Sequence, residues 1–64
     1  MRGTMDDALL RAADNTIKFL RMAAVELRRI AERAPDIADE LRYLANQLDA
    51  DANDLERAAS QDRE

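Results

Sequence analysis

Apolar side chains return every three or four positions along most of this chain, which is the spacing of one face of an α-helix. With Leu20 and Leu27 at position a of a heptad repeat, apolar residues fill most of positions a, d and e. The a positions are Ala13, Leu20, Leu27, Ala34, Leu41, Leu48 and Leu55. The d positions are Leu9, Thr16, Ala23, Ile30, Ile37, Leu44, Asp51 and Ala58. The e positions are Leu10, Ile17, Ala24, Ala31, Ala38, Ala45, Ala52 and Ala59. The pattern predicts an all-α protein.

The width of this stripe indicates how the helices pack. A two-stranded coiled coil needs apolar residues at a and d alone, whereas a stripe that includes e suits a helix with more than one neighbour. Alanine at e also lets two helix axes approach closely. The pattern therefore favours a helical bundle over an isolated coiled coil.

Pro35 predicts where the chain turns. Proline inside a helix costs about 3 kcal/mol and disfavours helical angles at the preceding residue, but it suits the first turn of a new helix. Asp36 and Asp39 lie in that same turn, where the helix dipole favours acids. We expect one domain over 1–64, with helix 1 at about 5–33, a turn at 34–36, helix 2 at about 36–59 and a frayed tail at 60–64.

One observation supports a different topology. The heptad runs through Pro35 without losing phase, from Ile30 and Ala34 to Ile37 and Leu41. A hairpin does not require this continuity, but a single long helix kinked at the proline, paired in a coiled coil, would produce it. The antiparallel hairpin is the main prediction, and the kinked helix is the alternative.

Two helices cannot bury both of these wide stripes against each other, and chains this short bury too little surface to be stable on their own. Two hairpins packed together would share one continuous core. We therefore expect a homodimeric four-helix bundle with two-fold symmetry, the usual form of small helical oligomers. A bundle with an unrelated partner chain would satisfy the same requirement.

Helix 1 carries apolar side chains beyond the stripe. Phe19, Met22 and Val25 are three residues apart and form a second ridge, here called the outer ridge. The dimer interface covers the outer ridge, or it is a docking site for another protein, or its members are singly exposed apolar residues of no special role.

Two polar residues interrupt the apolar d positions. Thr16 and Asp51 would lie at similar levels of a hairpin that turns near residue 35. A buried Thr16–Asp51 pair would fix the register of the helices at some cost in stability. The simpler alternative is that Asp51 faces water.

Composition excludes most catalytic chemistry. The chain has no Cys, no His and a single Gly, which removes disulfides, thiolate sites, the commonest general base and glycine-rich phosphate loops. The segment 49–54 resembles the opening of a calcium loop, but its sixth residue is Asp54 rather than Gly, and Ser60 stands where a bidentate Glu is needed. We expect no enzyme activity, no cofactor and no metal site.

Charge is distributed unevenly between the two predicted helices. Residues 5–34 carry six basic and five acidic side chains, whereas residues 35–64 carry three basic and nine acidic ones, within a net charge of −4. The basic side chains that we expect on the outer surface of helix 1 form a candidate nucleic-acid face. They are Arg11, Lys18, Arg21, Arg28 and Arg29.

In length and architecture the predicted dimer resembles Rop, the small helical-hairpin dimers that bind RNA pairs in plasmid copy control. The resemblance covers the whole chain, and no motif matches residue by residue. It implies RNA binding through the basic face of helix 1, which a two-fold dimer would double. The negative total charge and the scarcity of aromatic residues are atypical of such binders.

The main functional prediction is therefore a small non-catalytic homodimer that acts as a protein-interaction or regulatory module. RNA binding is the alternative, and a structural oligomerisation element is a third. No apolar run approaches the roughly 20 residues of a membrane span, and we find no signal peptide or lipidation motif. Cytoplasmic residence without membrane contact is the default expectation.

Overall fold

The computed structural model describes the backbone of residues 3–63 and the side-chain surroundings of residues 7–61. Helix α1 spans Gly3–Arg33, a single 3-10 turn spans Pro35–Ile37, and helix α2 spans Ala38–Arg63. The two helices pack along each other as an antiparallel hairpin, and the Cα atoms extend over 53 × 15 × 10 Å. A continuous helix of this length would extend about 90 Å. The predicted all-α hairpin is confirmed, and the long kinked helix is excluded.

The connection between the helices is shorter than most helix–helix turns. The Ala34 amide still donates to the Ile30 carbonyl at 2.9 Å, and the Ile37 amide donates to the Ala34 carbonyl at 3.1 Å. Ala34 alone leaves the helical region, with φ −128° and ψ 73°. The ring of Pro35 disfavours helical angles at the residue before it, which accounts for this departure. Because φ stays negative, the turn forms without a glycine.

The helix bounds differ from the expected ones at three points. Helix α1 begins at Gly3 rather than near residue 5, and the predicted start of helix 2 is a 3-10 turn before Ala38. Helix α2 continues to Arg63, so the tail expected at 60–64 is helical over its described part. The strong helix formers Arg57, Ala58, Ala59 and Gln61 carry the helix past residue 59.

The core of the hairpin lies along position e of both helices. Its buried apolar residues recur every seven positions on each helix: Ile17, Ala24, Ala31, Ala38, Ala45, Ala52 and Ala59. Ala24, Ala45 and Ala52 have no exposed surface at all. Since alanine projects only a methyl group, the backbones themselves come close together along this alanine seam. The leucines at position a border the seam and are only half-buried.

Candidate interaction surface

The principal candidate site is an open apolar surface on one side of the hairpin. Because position e points at the other helix, positions a and d of both helices lie to the same side of the seam. The large d residues are exposed: Leu9 by 65%, Ile30 by 47%, Ile37 by 42% and Leu44 by 49%. The half-buried a residues continue the surface toward the seam, and are Leu20, Leu27, Leu41, Leu48 and Leu55. This surface is called the a/d face below.

The opposite side of the seam is polar and closed by ion pairs. Nη1 of Arg28 lies 2.9 Å from Oδ2 of Asp49, and its Nη2 donates to Oδ1 of Asn46 at 2.8 Å. Seven residues earlier on α1, Arg21 makes the same kind of contacts. Its Nη2 lies 3.0 Å from Oε1 of Glu56 and 3.1 Å from Oδ1 of Asn53. One side of the hairpin is therefore satisfied by polar contacts between the helices, whereas the a/d face is not covered.

The outer ridge is exposed in the hairpin. Phe19 is 70% and Met22 68% exposed, and Val25 is 45% exposed. Met22 and Val25 line a shallow groove together with the side chains of Arg21, Glu26 and Arg29. In the heptad, Phe19 and Met22 lie on the side of α1 away from α2, and Val25 lies toward the polar side. The outer ridge is thus a surface separate from the centre of the a/d face.

The five residues of the candidate basic face lie in two different environments. Arg21 and Arg28 face α2 and are held by the contacts described above, and Arg29 pairs with Glu26 at 3.2 Å. Arg11 and Lys18 are exposed, and no ion pair joins either of them to another residue within the described side chains. The structure thus brings acids against three of the five basic residues and leaves two directed to solvent.

Thr16 and Asp51 are not joined by a hydrogen bond. The Thr16 hydroxyl donates to the Ala12 carbonyl of its own helix at 3.0 Å, and Asp51 is exposed. Both residues belong to the a/d face, near the middle of its length. Within one hairpin the two side chains do not meet.

The acidic segment 49–54 is fully helical, and Asp49 is engaged by Arg28. Among the described residues, no three acidic, histidine or cysteine side chains are placed to hold one metal ion. Tyr43 is exposed, and its hydroxyl accepts a hydrogen bond from Nε2 of Gln47 at 2.9 Å. Neither helix, over residues 3–63, has the length and hydropathy that a membrane crossing requires.

Comparison of the chain with protein families, with curated proteins and with solved structures finds no match.

Proposed function

We propose that this chain is a small non-catalytic interaction module that homodimerises into a four-helix bundle through its a/d face. The observation that carries the proposal is the exposure of Leu9, Ile30, Ile37 and Leu44 along one side of a folded hairpin. A continuous apolar surface of this kind marks a site of association. A second copy would present the same surface and cover it with equally apolar side chains.

The weakness of the hairpin core supports the same proposal. The residues buried between the two helices are alanines apart from Ile17. Apolar burial stabilises by about 25 cal/mol per Å², so methyl groups contribute far less than leucines would. The large side chains that would stabilise a domain of this size are those on the a/d face, which only association would bury.

Within such a dimer, Met22 and Val25 of the outer ridge would remain available on each copy, and Phe19 would lie beside the edge of the interface. The Met22 and Val25 groove, bordered by charged side chains, suits recognition of another protein after the bundle has formed. We therefore assign dimerisation to the a/d face and any further protein contact to the outer ridge, chiefly through Met22 and Val25.

Two matched substitutions on α1 test the proposal. Ile30 and Val25 are both β-branched and equally exposed, at 47% and 45%, but only Ile30 lies on the a/d face. We expect the unaltered protein and Val25→Lys to have twice the chain mass by light scattering coupled to size exclusion, and Ile30→Lys to be monomeric at the same concentration. A monomeric unaltered protein, or equal effects of the two lysines, would overturn the proposal.

RNA binding through helix 1 has less support. Duplex RNA requires cations that are free to contact phosphates, and Arg21, Arg28 and Arg29 are each paired with an acid. Titration of a hairpin RNA into the protein at two salt concentrations separates the alternatives. Salt-sensitive binding that is lost in an Arg11→Ala/Lys18→Ala double variant would favour the RNA-binding alternative.

A further inference from the structure

The a/d face has two edges of different charge. On α2, the outer edge carries Glu40 and Asp54, and Asp51 lies on the face itself. Arg57 pairs with Asp54 at 3.5 Å, whereas neither Glu40 nor Asp51 has an ion pair to another described side chain, so this edge is acidic. On α1, the corresponding edge carries Phe19, Glu26 and Arg33, and Glu26 pairs with Arg29 at 3.2 Å. Arg33 is exposed and has no ion pair to another described side chain.

Two arrangements would pair the a/d faces of two identical hairpins. If the two-fold axis runs parallel to the helices, α1 lies over the partner's α2 and both turns are at the same end. If the axis is perpendicular to the helices, α1 lies over the partner's α1, α2 lies over the partner's α2, and the turns are at opposite ends. All neighbouring helices are antiparallel in both arrangements.

The perpendicular arrangement brings like charges together. It places α2 against the partner's α2 in antiparallel register, so the like charges that meet are those at the middle of the helix. Asp51 lies at the middle of Ala38–Arg63, so full overlap of the two α2 helices brings it close to the partner's Asp51. Two carboxylates that lose water in an apolar interface repel each other and gain no hydrogen bond in return.

The parallel arrangement brings complementary groups together. It places the acidic edge of α2 against the edge of the partner's α1 that carries Arg33. Near the turn, Arg33 lies beside the partner's Glu40. Because residues equally far from the turn lie at similar levels, Asp51 comes within about one helical turn of the partner's Thr16. The Thr16 hydroxyl, which donates to the Ala12 carbonyl in the single hairpin, would need a change of rotamer to donate to that carboxylate.

We infer that a second copy of this chain covers the a/d face with its α2 over α1, so that both Pro35 turns lie at the same end of the bundle. The inference rests on the proposed dimer and goes further, because it fixes which helices meet. Repulsion between the two Asp51 side chains disfavours the other orientation, whereas Thr16 with the partner's Asp51 forms a polar layer in an otherwise apolar interface.

The distance between the two turns distinguishes the arrangements. The chain has no cysteine, so Asp36→Cys, exposed in the turn, gives one spin-labelled site per copy. With helix axes about 10 Å apart, turns at the same end should give label separations of about 20–30 Å by pulsed electron resonance. Turns at opposite ends should give about 45 Å or more, from the rise of 1.5 Å per residue.

Light scattering on the labelled protein keeps the two proposals separate. A dimer with the short separation supports the inference. A dimer with the long separation overturns this arrangement but leaves the proposed dimer intact. A monomer overturns both.

A charge exchange tests the same contact without a label. We expect Arg33→Glu alone to weaken the dimer several-fold, because it faces the partner's Glu40, and Arg33→Glu with Glu40→Arg to recover the affinity. In the perpendicular arrangement the two residues do not face each other, so the second change would restore nothing. The equivalent pair Arg42→Glu with Asp39→Arg lies within α2 and serves as the control.

Discussion

Nη1 of Arg28 on α1 lies 2.9 Å from Oδ2 of Asp49 on α2, although Glu32 stands one turn away on the same helix as the arginine. The contact recurs seven residues away on each helix, where Arg21 holds Glu56 at 3.0 Å. The ion pairs thus have the same seven-residue period as the alanine seam. Both features join α1 to α2, and together they occupy the seam and one of its two sides.

Arg28 and Asp49 should be coupled in stability. Their side chains are 40% and 34% exposed, so water screens the pair. For Arg28→Ala, Asp49→Ala and the double variant, we expect a coupling free energy below about 1 kcal/mol that falls with added salt. Urea unfolding at one fixed protein concentration measures it. The control pair is Asp39, which is fully exposed, and Arg42, which is about half exposed, with 4.0 Å between their charged atoms. A coupling free energy for Arg28 and Asp49 no larger than that of the control pair would contradict the expectation.

The alanine seam should reject larger side chains. Ala45 has no exposed surface and faces α1, whereas Ala50 is exposed on the same helix. We expect Ala45→Leu to lower the free energy of unfolding by about 1–3 kcal/mol, because added methylenes force closely packed backbones apart. Ala50→Leu should change it by less than about 0.5 kcal/mol. Thermal unfolding followed by circular dichroism compares them, and equal stabilities would show that the helices are not in close contact at Ala45.

The hairpin and its turn could be predicted from the sequence because each rests on local chemistry. Apolar spacing sets the helices, and Pro35 with the acids after it sets the turn. Periodicity alone could not show which of positions a, d and e would face the other helix of the hairpin. Alanine occupies every e position from Ala24 onward, whereas most a positions and half of the d positions hold leucine or isoleucine, and this difference in size favours e as the seam.

The polar side of the hairpin was less predictable. Arg28 lies four residues before Glu32, a spacing at which opposite charges on one helix can pair. The structure instead joins Arg21 and Arg28 to α2. The sequence does contain a signal for these contacts, because position b holds Arg21 and Arg28 on α1 and two acids, Asp49 and Glu56, on α2. For the same reason, two residues assigned to an outward basic face turn toward the hairpin.

Pro35 should keep the hairpin from opening into one helix. Since the heptad continues in phase through the turn, removal of proline permits a helix that runs from α1 into α2. We expect Pro35→Ala to populate extended, domain-swapped dimers, a known outcome of changes in hinge loops. Small-angle scattering should show the maximum dimension rising from near the present 53 Å toward about 90 Å. Asp36→Ala is the control. If the maximum dimension is unchanged in both variants, contacts other than Pro35 determine the turn.

Asp51 should set the specificity of association at a cost in affinity. It is a charged residue on an apolar face, and burying it beside the partner's Thr16 gives up hydration for one hydrogen bond. We expect Asp51→Leu to tighten dimerisation about tenfold, the effect of roughly 1.4 kcal/mol of added apolar burial.

The same variant, spin-labelled at residue 36, should show both short and long turn separations, because the repulsion between the two Asp51 side chains that disfavours the perpendicular arrangement is gone. Ser60→Leu, an exposed change on α2 outside the a/d face, should alter neither affinity nor separation. A weaker dimer in Asp51→Leu would instead mean that Asp51 makes a net stabilising contact across the interface.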